Sequence, residues 1–465
     1  MSEHAGGPLT TSHPLATALA EAGCSHAALA RRVNGLAARQ GLVMHYDKAS
    51  VTRWIQGKHP RGRAPEFIAA ALSERLNRPI SPFALGFTTE PEPPVGTRSL
   101  LYREDVAATL HTLAELGSLD ISRRSLLGPV PFVAATAADT QRHWLLWLGE
   151  LDDSAVPHLA AAADQGPVEA VHFMIWMFDE MDNRHGGSQV RSAIIHYLTS
   201  EVIPMLQQHR LPERQRTQLF GAAAKLAATA GWCSYDSAEY GLAQRYMTQA
   251  LRLCQQGGDQ VLGGQICAGL SHLATNLGHH SEGVAFARMG LVTAKHAGSP
   301  LGLMRLYLMA ARGPAARNDP KNTATALRAA ESAWESSRGP THESPWVRYL
   351  DHHYLEAEAA HCFRDLGDAK QAEAHATASV HANGERARRK GISQAVLATA
   401  HLQQNRLDQA VDAAETALAW LGGGVVHSER SVQALRDFRA RLEPHRSEPV
   451  VQHFDRQARS ALGAA

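Results

Sequence analysis

Pairs of small residues seven positions apart recur five times in the second half of this 465-residue chain. Successive pairs are offset by 40, 43, 46 and 38 residues, and a further small residue precedes four of the pairs by twelve positions. The pairs are Ala243/Ala250, Gly283/Gly290, Ala326/Ala333, Ala372/Ser379 and Ala410/Ala417, and the preceding residues are Gly231, Ser271, Ala360 and Ala398. Small side chains allow antiparallel helices to pack closely, so the pattern predicts stacked helix pairs from about residue 213.

A generic alanine-rich bundle is the alternative interpretation, because alanine is abundant in this chain. The recurrence of both spacings favours the solenoid. The third unit contains Gly313 and Pro314, which are expected to interrupt its first helix and make it irregular. A chain of this length also exceeds what one compact core sustains, which predicts about three domains or an extended repeat array.

The segment Asp47 to Arg63, DKASVTRWIQGKHPRGR, combines a short amphipathic helix with five Lys or Arg side chains and has no acidic residue after Asp47. Asp47 is predicted to cap the helix, and Gly57 and Pro60 to end it. Helical spacing places Val51, Trp54 and Ile55 on an inward face and Lys48, Ala49, Thr52 and Arg53 on an outer face. An ordinary surface helix with a solvated basic flank is the competing interpretation.

Short helices are predicted on both sides of this segment. Leu15 to Ala22 forms the first, Ser25 caps a second that contains Leu29 and Val33, and Pro65 to Leu76 forms a fourth before Phe83 to Phe87 closes the unit. The motifs SxxxLAxxV and SVTRWIQG within this order resemble the XRE-type, or phage-repressor-like, helix-turn-helix domain.

One departure from that family concerns the turn, which is normally three or four residues long. Here Gly35 to Tyr46 intervenes. Either the second helix runs on through Ala38, or the turn carries an insertion.

The resemblance implies that the helix from Lys48 to Gln56 enters the major groove of DNA. Arg53 would read a guanine, and Lys48 and Thr52 would supply further contacts to base edges. The predicted DNA-binding residues are Lys48, Ala49, Thr52, Arg53, Gln56, Lys58, Arg61 and Arg63, of which the last three would hold phosphates. Charge agrees with this prediction: residues 1–89 contain ten Lys/Arg against five Asp/Glu, whereas the remainder has 36 against 40.

The repeats resemble the tetratricopeptide (TPR) repeat, although they are longer than its usual 34 residues. That resemblance implies a concave face lined by the first helix of each pair. It would carry Lys225, Trp232, Tyr235, Asp236, Gln265, His272, Asn276, Tyr354, His361, Arg364 and Asp365. The predicted ligand groove comprises Trp232, Tyr235, Asp236, His272, Asn276, His361 and Arg364. For Trp232 and Tyr235, packing between helices is the competing interpretation. Arg364 would attract a carboxylate or phosphate and Asp236 an amine, which suggests a peptide or an amino-acid-like small molecule.

These patterns predict an all-α protein with five segments: an N-terminal helix-turn-helix domain at 13–87, a Pro-rich linker at 88–97, a helical middle region at 98–212, a TPR-like α-solenoid at 213–443, and a tail at 444–465. The stretch Ser122 to Ala138 looks like a twin-arginine export signal but lies behind a complete domain, so it is predicted to be a buried connector. The five cysteines are scattered and form no CxxC pair, which fits reduced thiols in a cytoplasmic protein. No apolar run reaches membrane-spanning length.

The whole arrangement resembles actinobacterial XRE-type transcriptional regulators with C-terminal TPR repeats, which control development and antibiotic production. The resemblance implies a cytoplasmic repressor or other regulator that binds a double-stranded DNA operator as a homodimer. Its TPR array would mediate dimerisation and sense a peptide, a small molecule or a protein partner.

The sequence gives less support to two other classes of protein, an enzyme and a protein-binding adaptor. Catalysis is not expected, because HExxH, the P-loop, GxGxxG and GxSxG are all missing. His353 and His361 could share a helix face, but two ligands do not make a metal site, so neither a metal nor a cofactor is predicted. A TPR adaptor that binds only proteins remains the alternative, and Lys48, Thr52 and Arg53 argue against it.

Overall fold

The computed structural model describes most of the chain, and the described residues are helical or lie in turns and loops without any strand. They are 13–39, 42–76, 80, 82–87, 94–102, 105–121, 130–151, 166–208, 211–339, 343–381, 387–422 and 428–462. The all-α prediction is confirmed for this part of the chain. It divides into two compact units, the first formed chiefly by residues 1–98 and the second by most of the remainder.

The first unit is built from short helices around one apolar core. Leu29, Val33, Val51, Ile68 and Leu72 are almost completely buried at its centre. The helices are α1 (Pro14–Glu21), α2 (His26–Arg39), α3 (Lys48–Ile55), α4 (Ala64–Leu76) and the four-residue α5 (Val95–Arg98), with a 3₁₀ turn at Phe83–Leu85. The inward positions predicted from helical spacing therefore do supply the core.

Both explanations for the long connection between α2 and α3 hold. Helix α2 continues past Ala38, and residues 42–47 then form a non-helical segment. The Asn34 side chain fixes that segment to α2, since its amide donates to the carbonyl oxygen of Tyr46 at 2.8 Å and its oxygen accepts from the Tyr46 N–H at 3.0 Å. The Tyr46 ring then packs edge-on against Trp54, with centroids 4.9 Å apart, so the connection also orients α3.

The second unit consists of helices that stack largely as antiparallel neighbours. Its early helices are α6 (Val106–Ile121), α7 (Ala137–Glu150), α8 (Pro167–His185), α9 (Gly187–Tyr197) and α10 (Ile203–Gln207), and a π-helical turn at Leu198–Val202 joins the last two. The paired helices are α11 (Glu213–Asp236), α12 (Tyr240–Gly257), α13 (Gln260–Asn276), α14 (His280–His296), α15 (Pro300–Ala316), α16 (Pro320–Ser337), α17 (His352–Leu366), α18 (Ala369–Val380), α19 (Ala387–Gln403) and α20 (Leu407–Gly422). Two further helices, α21 (Glu429–Arg441) and α22 (Pro449–Leu462), complete it.

The twelve-residue spacing of small residues marks the points where paired helices cross. A Cβ on Gly231 of α11 would lie 3.2 Å from the carbonyl oxygen of Ala243 on α12. One pair later, the hydroxyl of Ser271 donates to the carbonyl oxygen of Gly283 at 2.7 Å. The predicted close approach of the helices is confirmed at these crossings.

The prediction for the third pair was wrong in one respect. Helix α15 runs unbroken through Gly313 and Pro314 to Ala316. Pro314 lies in the last turn, where its missing N–H costs a single backbone hydrogen bond. The irregularity comes later, in the long connection between α16 and α17, which includes residues 343–351.

Three segments of the chain differ in part from their predicted structure. Of the predicted linker, residues 88–93 lie outside the described residues, and residues 95–97 belong to α5. Of the export-like stretch, residues 122–129 lie outside them as well. Its described part was predicted to be buried but is mostly half-buried or exposed. It is attached to α12 through Val133, whose backbone N–H and carbonyl oxygen each make a 2.8 Å hydrogen bond with the Gln244 side chain. The segment set apart as a tail contains α22, whose Phe454 packs edge-on against Phe438 of α21.

Candidate functional site

The first candidate site is the outer face of α3, which begins and ends at well-defined residues. The Asp47 carboxylate accepts a hydrogen bond from the Ser50 N–H at 2.8 Å. The first turn of α3 itself contains no acidic residue. Hydrogen bonds from Ser50, opposed by a smaller burial effect, lower the pKa of Asp47. At the other end, the Gly57 N–H donates to Trp54 and the Lys58 N–H to Arg53, a Schellman motif that requires the positive φ of 88° at Gly57.

The predicted DNA-binding residues occupy this face and the loop after it, and they differ in exposure and in their hydrogen bonds within the protein. Lys48, Ala49, Arg53, Gln56, Lys58 and Arg61 are exposed. Helix α3 ends at Ile55, so Gln56 is its C-cap rather than a helical residue. The Arg53 guanidinium is steadied by a 3.1 Å hydrogen bond to the Ser50 hydroxyl.

Two members of the predicted set are already engaged within the protein. The Thr52 hydroxyl donates to the Lys48 carbonyl oxygen at 3.0 Å and lies 3.1 Å from His26 Nδ1. Arg63 pairs with Glu66 at 3.0 Å and lies over the Phe67 ring. Both are half-buried and less available to a partner than Lys58 and Arg61, which make no ion pair among the described residues.

The second candidate site is a cavity of about 760 Å³ inside the helix array. The first helices of the pairs line it, together with α8, α21 and the 343–351 connection. Six of the seven predicted groove residues are among its lining: Trp232, Tyr235, His272, Asn276, His361 and Arg364. The repeat register thus brings together residues that are far apart in sequence.

The seventh predicted groove residue, Asp236, does not line the cavity, and its predicted role is wrong. Its carboxylate is held by Arg430, at 3.2 Å for one nitrogen, by Arg388 at 3.1 Å and by the Ser428 hydroxyl at 3.3 Å. Burial would raise the pKa of Asp236, but the charges of Arg430 and Arg388 and the hydrogen bonds outweigh it and hold the pKa below its ordinary value. A carboxylate so engaged cannot also receive an amine from a ligand.

The same ion pairs join the two ends of the array. Arg388 of α19 also binds Asp182 of α8 at 3.0 Å, and Arg430 belongs to α21. Residues separated by about two hundred positions therefore close the cavity on one side.

Arg364 was predicted to be an anion receptor, and it too has an internal partner. Its guanidinium makes two hydrogen bonds, of 2.8 and 2.6 Å, to the carboxylate of Asp365. The two side chains are 14% and 17% exposed, so this charge is largely matched within the protein.

Histidines in the cavity are held neutral. Burial, followed by the charges of Arg312, Arg430 and Arg305, lowers the pKa of His272 well below its ordinary value. Burial, followed by the charges of Arg312 and Arg364, does the same for His361. Tyr235 of α11 is almost completely buried, and its hydroxyl lies 3.0 Å from His272 Nδ1 on α13. It therefore packs between helices, as the competing interpretation held, and it is also part of the cavity lining.

Sequence reasoning missed several residues that shape the cavity. Trp346 and Tyr349 come from the irregular 343–351 connection, where no repeat register applies. Arg305 and Arg312 come from α15. The repeat pattern did contain a signal for Arg305 and Arg312. Pro314 lies twelve residues before Ala326, at the position that a small residue occupies in the other four repeats, and aligning the third repeat on it places both arginines on the inner face.

Among the described residues, no group of His, Cys, Asp or Glu side chains could hold a metal ion. All five cysteines are unpaired. Burial raises the pKa of the Cys362 thiol to about 12. Within the same residues, no helix is long and apolar enough to cross a membrane.

Comparison with known proteins bears on the first unit alone. The model of a family described as the SP15 N-terminal domain matches residues 15–88, a range that nearly coincides with the predicted domain at 13–87. No curated protein matches the chain.

Proposed function

We propose that this protein is a sequence-specific DNA-binding transcriptional regulator whose helix array senses a small effector. The observation that carries the proposal is the outer face of α3 and the loop after it, where Lys48 and Arg53 on the helix and Lys58 on the loop have no carboxylate partner among the described residues. Unpartnered cations on one helix face supply the electrostatic attraction to DNA. The resemblance to XRE-type and TPR regulators supports the same function, and the cytoplasm is the compartment that it requires.

In this proposal Arg53 reads a guanine edge in the major groove. Its guanidinium is exposed and is oriented by Ser50. Lys48 lies in the first turn of the helix and is exposed as well. Lys58 and Arg61 hold phosphates on the loop that follows the helix. Thr52 and Arg63 contribute less, because their polar atoms are engaged within the unit.

Arg53 substitutions test this function directly. Arg53→Ala should cost roughly 1–3 kcal/mol of DNA affinity and relax specificity at one base. Arg53→Lys is the matched control, since it keeps the charge but loses the two-pronged guanidinium and should restore affinity more than specificity. The measurement is selection of bound genomic fragments followed by gel shift. Unchanged sequences and affinity for Arg53→Ala would exclude this docking, and no retained fragment at all would favour a protein-binding adaptor.

A homodimer is part of the proposal, because one small module reads too few bases and pairing two modules on a symmetric operator supplies the rest. Helix α8 offers a surface for a second copy: Phe173 and Trp176 are 59% and 58% exposed and their rings lie 5.9 Å apart. Light scattering should give twice the 50.3 kDa chain mass. A Phe173→Ser/Trp176→Ser variant should give a monomer, and a wild-type protein that is monomeric with and without DNA would exclude the dimer.

Regulation would follow if the effector favours one arrangement of the array over another. A ligand shifts such an equilibrium only by its difference in affinity for the two arrangements. We place that difference at the contacts of Asp182 and Asp236 with Arg388 and Arg430, because they join helices that are distant in sequence. Effector binding would then change operator affinity.

A further inference from the structure

Arg305 of α15 is a buried cation without a carboxylate partner among the described residues. The residue is 5% exposed. Its guanidinium lies over the rings of Trp232 and Tyr349, at 5.4 and 5.9 Å from their centroids, and donates to the Tyr349 hydroxyl at 2.6 Å and to Gln265. No ion pair between described residues includes it. Aromatic faces and neutral oxygens stabilise a buried guanidinium less than an anion does.

The other cations deep in the cavity are matched. Glu358, whose charge raises the pKa of Arg305, is paired with Arg312 at 2.7 Å. Arg388 and Arg430 share the two carboxylates that close the array, and Arg364 has Asp365. The lining of this part of the cavity therefore carries one positive charge in excess, and that charge belongs to Arg305.

Two hydrogen-bond donors beside the Arg305 guanidinium have no acceptor. Arg305 Nε and Gln265 Nε2 are buried donors with no partner among the described residues. Both residues line the cavity, both are at least nine-tenths buried, and they are in direct contact through the Gln265 side-chain oxygen. Buried donors without acceptors are costly, so these two donors would be stabilised by an acceptor in the cavity, whether water or a ligand.

We propose that the cavity binds a small organic anion whose carboxylate or phosphate accepts hydrogen bonds from Arg305 and Gln265. The ligand carries a flat apolar group, because the aromatic residues Trp232, Trp346 and Tyr354 line the same cavity. A cavity of about 760 Å³ suits a metabolite rather than an extended peptide. This inference deepens the proposed function by naming the class of effector, and it replaces Arg364 and Asp236 as the recognition groups.

Isothermal titration calorimetry of the full-length protein tests the proposed anion site with pairs of probes that differ in charge. A panel of aryl carboxylates and aryl phosphates, such as phenylacetate and phenyl phosphate, is compared with neutral counterparts, such as phenylacetamide and phenol. The anions should bind at least about tenfold more tightly than their counterparts. Arg305→Gln should remove that preference, while Arg288→Gln, an exposed arginine on α14 outside the cavity, should keep it.

A second variant keeps the test decisive if Arg305→Gln fails to fold. Gln265→Glu places a carboxylate beside Arg305, so it should raise the thermal unfolding midpoint and abolish anion binding. The inference is overturned if no anion in the panel binds better than its neutral counterpart, or if either variant binds anions as the wild type does. Gel shift with the same preparations separates this failure from failure of the proposed function, since DNA binding needs no ligand in the cavity.

Discussion

The region formed by α3 and the loop after it and the interior cavity both carry Lys or Arg side chains, but their charges are balanced in opposite ways. Lys58 and Arg61 are exposed and have no ion-pair partner among the described residues. Arg312 and Arg430 lie inside the array and are paired with Glu358 and Asp236. The exposed charges act at a distance through water and are screened by salt, whereas the buried pairs are screened much less.

The contrast indicates what each region can recognise. An exposed row of cations suits a long polyanion, whose affinity then depends on ionic strength. A cavity in which nearly all charges are matched suits a ligand that supplies a single missing charge. Substitutions that remove one charge from each region should therefore have effects of different size and kind.

The largest effect is expected for Asp236→Ala, which leaves Arg388 and Arg430 buried without their shared carboxylate. Breaking a buried ion pair from one side costs about 3–5 kcal/mol, so the free energy of unfolding of the second unit should fall by that amount. Urea denaturation measures it. Glu443→Ala is the control: its pair with Arg446 has side chains 70% and 79% exposed and should matter little. Equal losses in the two variants would refute the distinction between buried and exposed pairs.

A smaller loss is expected for Gly241→Ala at the start of α12. A Cβ there would lie 2.0 Å from the carbonyl oxygen of Val130, a backbone atom that can move only with its segment. Overpacking of this kind costs about 1–3 kcal/mol. Gly221→Ala in α11, where a Cβ meets nothing within 4 Å, should instead stabilise the helix by about 0.5–1 kcal/mol. A stable Gly241→Ala protein would mean that residues 130–133 are not held against α12.

Low pH should lower the stability of the second unit by a smaller amount than these substitutions do. Because the folded-state pKa of Asp236 is below the unfolded value near 3.8, its contribution is present above that pH and is lost as the pH falls through the folded pKa. The thermal unfolding midpoint should decline below about pH 4. Asp236→Asn should start lower and decline less steeply. A decline as steep as in the wild type would assign the acid sensitivity to other carboxylates.

The smallest change is expected in the salt dependence of DNA binding. Lys58→Ala should lower affinity for all sequences alike and reduce the slope of log K against log salt by about 1. Arg32→Ala is the matched control within the same unit, because Arg32 is exposed but already bound to Glu74. If both variants alter the slope equally, internal pairing does not determine which cations reach the phosphates.

Features set by neighbours in sequence were predictable. The cap at Asp47, the end of α3 at Gly57 and the inward face of Val51 and Trp54 each depend on residues within one or two turns. The crossings at Gly231 and Ser271 were predictable for a related reason, since a fixed spacing repeated along the chain reports a repeated contact.

The partners of the cavity charges could not be predicted in this way. Asp236 was assigned to a ligand because its partner Arg430 lies 194 residues further on, and no periodicity connects α11 with α21. Arg305 was overlooked because Pro314 suggested a broken helix, although the proline sits where a helix tolerates it. The sequence thus revealed which residues face the interior but not which of them neutralise one another.

The 194-residue separation between Asp236 and Arg430 also imposes an order on biosynthesis. At about 5–20 residues per second, a ribosome needs roughly 10–40 s to deliver Arg430 after it has made Asp236. During that interval α11 and the helix pairs after it can stack on one another, and Asp236 first gains Arg388 of α19 as a counter-ion, while Arg430 of α21 is still missing. The cluster of buried charges around Asp236 is therefore incomplete until translation is almost finished, and the packing of α21 is the step that completes it.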